Sequence, residues 1–175
     1  AIMDFGALQC TPGTPDCSIC PLEAKCLGLS CGRTGKLPVK KGRTVIRDRY
    51  FYYFHILCEG RTWMHRREGK DIWQGLYEFP LIETDGSIAP DDLQNYPEYR
   101  SLFGGTGKPE ILSVSPEIRH ILSHQALHIR FLTVVIPHPG TGLVNYTALA
   151  LQDIPRLAVP RPIEAFLKAV RQENK

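Results

Sequence analysis

Residues 49–80 read RYFYYFHILCEGRTWMHRREGKDIWQGLYEFP, and the order of residue types in this stretch decides the fold class. Arg49–Leu57 is a run rich in aromatic residues, which predicts a buried strand. Cys58-Glu59-Gly60 supplies a turn, and Arg61–Arg67 alternates as a return strand. Glu68–Pro80 is a glycine-punctuated loop in which Trp73 and Gly75 precede a short aromatic strand ending at Pro80.

Downstream, Asp91–Phe103 is partly helical despite Pro97, and two further strands are expected at Ile111–Leu122 and Leu127–Pro137. A helix from Pro160 or Arg161 to about Gln172 carries Ile163, Phe166, Leu167 and Val170 on one face, with Pro162 in its first turn. Strands and helices in this mixed order predict an α+β domain, a mixed sheet with flanking helices.

The 175-residue composition bounds the function. A hydrophobic fraction of 43% supports a packed core, and a net charge of +3 permits an anionic partner without demanding one. No apolar run reaches the roughly 18 residues of a membrane span, and no signal peptide is recognisable. The expectation is a soluble, intracellular protein, cytoplasmic in a bacterium, with no membrane partner.

Upstream of the strand-rich region, residues 31–48 change character. Arg33, Lys36, Lys40, Lys41, Arg43 and Arg47 accumulate around Gly32, Gly35, Pro38 and Gly42, with Asp48 the one acid. This composition describes a solvated interdomain connector. Before it lies CTPGTPDCSICPLEAKC, in which Cys10, Cys17, Cys20 and Cys26 are separated by six, two and five residues. Six cysteines in an intracellular chain argue for metal binding over disulfides. Four sulfurs in a proline-held wrap suit zinc or an iron–sulfur cluster, and a single CxxC flanked by two wider gaps tilts the reading towards a cubane cluster. Paired disulfides or unliganded thiols are the bland alternative. Cys31 and Cys58 are left over, a linker thiol and a strand-end residue. Residues 1–8, AIMDFGAL, read as the tail of a helix cut from something larger.

The C-x6-C-x2-C-x5-C string after an AIMDFGAL helix end resembles the four-iron four-sulfur loop of endonuclease III-like DNA glycosylases. The rest of the chain resembles the MutY-type adenine DNA glycosylases, which remove adenine mispaired with 8-oxoguanine. Residues 66–80 are similar to the opening of a Nudix fold, but residues 81–100 (LIETDGSIAPDDLQNYPEYR) offer scattered acids in place of a glutamate-rich metal helix. Nucleotide pyrophosphatase activity is therefore not expected.

The resemblance implies three parts: residues 1–30 closing a helical glycosylase domain with the cluster loop, 31–48 as connector, and 49–175 as a Nudix-like domain reading 8-oxoguanine. It implies a structural 4Fe-4S cluster on Cys10, Cys17, Cys20 and Cys26, with zinc or an empty site as alternatives. Double-stranded DNA containing the 8-oxoguanine:adenine mispair is the implied partner of a monomer. Phosphate contacts are expected from Thr14, Lys40, Lys41 and Arg43, although no Lys or Arg lies between Cys10 and Cys17.

Residues 119–128, RHILSHQALH, hold three histidines at a strand junction. A metal site there is disfavoured by Ser123 and Gln125 at would-be ligand positions and by the lack of a nearby carboxylate. In the MutY family a Phe-Ser-His turn at this place reads 8-oxoguanine, which carries over to Leu122, Ser123 and His124. Leu122 lacks the aromatic ring, which puts a wedging role in doubt, while Ser123 keeps the small hydroxyl. The family's catalytic carboxylates lie in the helical domain, so no catalytic residue is assigned and the 175 residues alone are not expected to excise adenine. A protein-docking, metal-bearing module with a Nudix-like fold is the alternative.

Overall fold

A computed structural model describes residues 2–39 and 46–173. The chain divides into two compact units, Ala1–Val45 and Ile46–Lys175.

The first unit is a series of short pieces. α1 (Ile2–Leu8) leads into the cysteine loop, followed by a turn at Glu23–Lys25, α2 (Leu27–Ser30) and a turn at Thr34–Lys36. None of its described side chains is buried. A unit of this size without a buried core needs another source of stability.

The second unit is built on β1 (Arg47–Leu57), which starts two residues before the expected Arg49. It runs parallel to β7 (Gln125–Val135) along its whole length and antiparallel to β4 (Leu81–Thr84) on its other edge. Beyond β7 lie β5 (Glu110–Val114) and β6 (Ile118–Ile121), giving a mixed five-stranded sheet. Both faces of β1 and β7 are covered, which is why RYFYYFHIL is largely aromatic and aliphatic instead of alternating. On one face Tyr52, Phe54, Ile56, Leu132 and Val134 pack with Leu93, Leu102 and Phe103. On the other, Phe51, Tyr53, Ile129 and Phe131 pack with Phe79 and with Ile163 and Leu167 of α4 (Arg161–Glu173).

Two expectations are corrected. The turn after β1 forms as read, with Glu59 at φ 47° and Gly60 at φ 72°, but β2 (Arg61–Arg66) does not return alongside β1. β7 takes one edge of β1 along its whole length and β4 takes Tyr50–Tyr53 on the other, while β2 enters a second sheet with β3 (Tyr77–Glu78) and β8 (Thr147–Ala150). There are thus two sheets where one was expected. The expected strand Ile111–Leu122 is split into β5 and β6 at Ser115-Pro116-Glu117, because Pro116 has no N–H for a ladder. Ser115 bridges the break, its amide donating to the Phe131 carbonyl at 2.8 Å and its hydroxyl accepting from the Phe131 amide at 2.9 Å. Asp91–Phe103 is helical in part, as expected, with a 3-10 turn at Pro90–Asn95 and α3 (Pro97–Leu102), which Pro97 starts.

His55 on β1 is 2% exposed between Phe79 and Phe166, and its ring nitrogens find no hydrogen-bond partner among the described residues. Burial lowers its pKa from 6.5 to about 4. The imidazole is neutral in the fold and gains a proton more readily in the unfolded chain. Its effect on stability is therefore absent above the unfolded pKa and grows as pH falls towards the folded value. At about 1.4 kcal/mol per pH unit, acidification from neutrality to the folded pKa should cost about 3 kcal/mol through this residue. Urea unfolding of His55→Leu should lose that part of the pH dependence; an unchanged pH profile would refute it.

Candidate nucleic-acid interface

The hairpin between β6 and β7 gathers the residues singled out near Ser123. The Leu122 amide donates to the Gln125 carbonyl at 2.8 Å, leaving Ser123 and His124 as an exposed two-residue tip. Leu122 is half-buried against the cluster of Phe51, Ile129 and Phe131. The structure thus brings the three residues together but turns only two of them outward.

The tip is braced from β1. The Arg47 amide donates to the His124 carbonyl at 3.1 Å, and Arg49 Nη1 donates to Gln125 Oε1 at 3.0 Å. His128 lies between two carboxylates, with Nδ1 2.8 Å from Glu117 Oε1 and Nε2 2.9 Å from Asp48 Oδ1, and its ring stacks on Tyr50 at 4.6 Å. Hydrogen bonds to Glu117 and then Asp48 raise its pKa, favouring an imidazolium that donates from both nitrogens. Stability from this clamp is present at low pH and fades as pH rises past the folded value. The expectation of no nearby carboxylate is therefore wrong. Asp48 arrives through parallel pairing of strands whose sequences lie 80 residues apart, and Glu117 through the break at Pro116. Local sequence carries no signal for either partner. His120 tilts against Trp73 at 5.8 Å, so the three histidines have three separate environments.

A second polar network ties the glycine-rich loop to both sheets. Arg49 bonds Glu83 at 2.6 and 2.7 Å and Asp71 at 3.0 and 2.9 Å. Arg67 bonds Glu78 at 2.8 and 2.7 Å and Asp71 at 3.0 Å, while the Tyr53 hydroxyl donates to Glu78 at 2.8 Å. Burial works against a charged Glu78, but hydrogen bonds from His65, Arg67 and Tyr53 outweigh it and hold the carboxyl below its ordinary range. These acids are committed to arginines. The segment after Pro80 forms β4, a 3-10 turn and the short α3, whose one acid is Glu98.

In the first unit Cys10, Cys17, Cys20 and Cys26 line one small cavity together with Gln9, Pro15, Asp16, Glu23, Leu29 and Thr34. Partial burial and the potential of the Cys26, Cys10 and Cys20 sulfurs and of Asp16 raise the Cys17 pKa, a sign that the thiols share one environment. Among the described residues, no three His, Cys, Asp or Glu side chains form a group suited to a metal ion. The loop is closed by Gln9 Nε2 donating to the Asp16 carbonyl at 2.7 Å and by the Ser18 amide and hydroxyl donating to Asp16 Oδ1 at 3.1 and 2.6 Å. Thr14 is exposed, and Lys36 lines a cleft with Pro12, Gly13 and Gly35, adding a cation that the segment between Cys10 and Cys17 lacks. Lys40, Lys41 and Arg43 lie outside the described residues. Cys31 is exposed, while Cys58 is buried with its sulfur 3.8 Å from the Pro137 carbonyl oxygen. No described helix is long and apolar enough to cross a membrane.

Comparison with known proteins agrees with this architecture. The family profile described as NUDIX domain matches residues 52–169. An adenine DNA glycosylase of Buchnera aphidicola subsp. Schizaphis graminum is 36% identical over 83 residues, 47% of this chain and 24% of the relative. One from Buchnera aphidicola subsp. Baizongia pistaciae is 27% identical over 177 residues, 99% of this chain and 48% of the relative. The chain thus spans about half the length of the curated relative it matches nearly end to end. Two solved structures share the fold. The C-terminal domain of mouse MUTYH, solved in complex with human PCNA, has a TM-score of 0.50 at 15% identity, covering 73% of this chain and 90% of that one. A Nudix hydrolase from M. smegmatis, RenU, has a TM-score of 0.50 at 10% identity, covering 73% and 86%. The chain belongs to the NUDIX domain family and, over nearly its whole length, is similar to the MutY-type adenine DNA glycosylases.

Proposed function

We propose that this chain is the lesion-recognition part of a MutY-type adenine DNA glycosylase, binding duplex DNA and reading 8-oxoguanine opposite adenine with Ser123 and His124. The observation that carries this reading is the outward-facing tip itself, two hydrogen-bonding side chains on a hairpin held to β1 by Arg47, Arg49 and the His128 clamp. 8-Oxoguanine differs from guanine by an oxygen at C8 and a hydrogen at N7. A serine hydroxyl both donates and accepts, so it can meet either new group, and His124 adds a second donor. A braced hairpin spends little ordering entropy on doing so. Excision of adenine is assigned to no residue of these 175.

Replacing Ser123 with alanine removes one hydrogen bond, about 1 kcal/mol or roughly fivefold in affinity. In fluorescence anisotropy at one salt concentration, Ser123→Ala should lose that factor on an 8-oxoguanine:adenine duplex and almost nothing on an undamaged one. Equal losses on both duplexes would exclude a lesion contact.

In the same reading Cys10, Cys17, Cys20 and Cys26 would hold a four-iron four-sulfur cluster, which when bound acts as a structural cross-link. The donor chemistry suits such a group, since four cysteine sulfurs line one cavity, although no three of them are drawn together as a metal-binding group among the described residues; a unit with no described buried side chain has use for one. Thr14 and Lys36 would meet the DNA backbone beside it, by hydroxyl and by charge. The basic residues Lys40, Lys41 and Arg43 would add salt-dependent affinity without sequence preference. A second reading, a protein-docking module, draws on the exposed Leu112 and Val114 of the outer strand β5, on a fold shared with the mouse domain solved in complex with PCNA. It predicts no preference between damaged and undamaged duplexes.

A further inference from the structure

We propose that Ile121, rather than Leu122, is the apolar side chain the hairpin presses against the DNA base stack, with Arg119 on the neighbouring phosphate. This inference rests on the lesion-recognition reading above. The aligned wedge position, Leu122, is spent on the core, where it packs against the cluster containing Phe51, Ile129 and Phe131. Entering a base step would mean withdrawing it from that contact. Ile121, one residue earlier, is 60% exposed beside the tip.

Strand register explains the difference. Ile121 pairs with Ala126 and Arg119 with His128, whereas His120 pairs with Leu127 and Ile118 with Ile129. Cross-strand partners share a face. His120 and Ile118 are therefore on the side of the core cluster that contains Leu127 and Ile129. Arg119 and Ile121 project to the other side, roughly 7 Å apart along the strand. Opposite Ile121 stands only the small Ala126, which does not cover it. Arg119 is exposed and, among the described residues, forms no ion pair.

An exposed branched aliphatic beside a polar tip gains by leaving water. Isoleucine is among the residues that proteins insert at base steps, where partial unstacking is repaid by buried apolar surface. A cation two residues back on the same face supplies the electrostatic complement that a protein surface would not require. Ser123 and His124 then read the lesion edge while Ile121 holds the adjoining step open.

The test uses the 175-residue chain, a duplex with 8-oxoguanine opposite adenine and 2-aminopurine next to the lesion, and the matching undamaged duplex. Ile121→Ala should weaken lesion binding roughly tenfold and abolish the rise in 2-aminopurine fluorescence on binding, with its melting temperature unchanged. Arg119→Ala should weaken both duplexes alike and reduce the salt slope by about one. Leu122→Ala should lower the melting temperature and keep the fluorescence rise. The proposal is overturned if Ile121→Ala keeps the rise, or if a folded Leu122→Ala loses it. Lesion preference in the wild type with a silent Ile121→Ala defeats this inference alone. A wild type without lesion preference defeats the reading beneath it as well.

Discussion

Arg67→Met should destabilise the second unit by about 3 kcal/mol, towards the low end of the roughly 3–5 kcal/mol seen when one partner of a buried ion pair is removed. The Glu78 side chain is 3% exposed and Arg67 12% exposed, so neither ion is rescued by water. Methionine keeps most of the apolar stem but removes both bonds to Glu78 and the 3.0 Å bond to Asp71. Tyr53 at 2.8 Å and His65 at 3.3 Å remain on Glu78, which is why the low end applies. Adding Glu78→Leu should recover part of the loss, because the stranded charge goes with it. Denaturant unfolding of the two variants measures both effects. A loss under 1 kcal/mol for Arg67→Met would mean that the pair is not what ties the glycine-rich loop to the sheets.

The second large effect concerns the cysteines. Cys20→Ala in protein purified without oxygen should abolish visible iron–sulfur absorption and bound iron, since removing one of four thiolates opens the cage. With no described side chain buried in the first unit, that unit should become protease-sensitive, while the second keeps its melting transition. Iron retained at the wild-type level would remove Cys20 from the ligand set. Zinc without iron in the wild type would replace the cluster by a single ion.

How far the chain could be read depended on whether the governing interaction was local. The β1 run, the Cys58–Arg61 turn and the apolar face of α4 were legible because each rests on neighbouring residues: aromatic density, two positive φ values and a helical period. The second sheet was not, because β1 pairs with β4 and β7 and β2 pairs with β3 and β8, and nothing in the sequence of β2 itself records which partners it takes. Strands β4 and β8, four residues each, are too short to show a period. At the hairpin, Ser123 and His124 could be singled out because a familiar turn carries them. The carboxylates that clamp His128 could not, since Asp48 and His128 meet only through parallel pairing of distant strands. Leu122 and Ile121 look alike in sequence, and only cross-strand register separates the buried residue from the exposed one.

The central claim is that the braced tip at Ser123 and His124 distinguishes 8-oxoguanine from guanine. Its most direct test is the ratio of dissociation constants of the wild-type 175-residue chain for two duplexes that differ only at that base, 8-oxoguanine:adenine and guanine:adenine, measured at one salt concentration. The account predicts severalfold tighter binding to the 8-oxoguanine duplex, on the scale of one or two hydrogen bonds. Equal dissociation constants would contradict it.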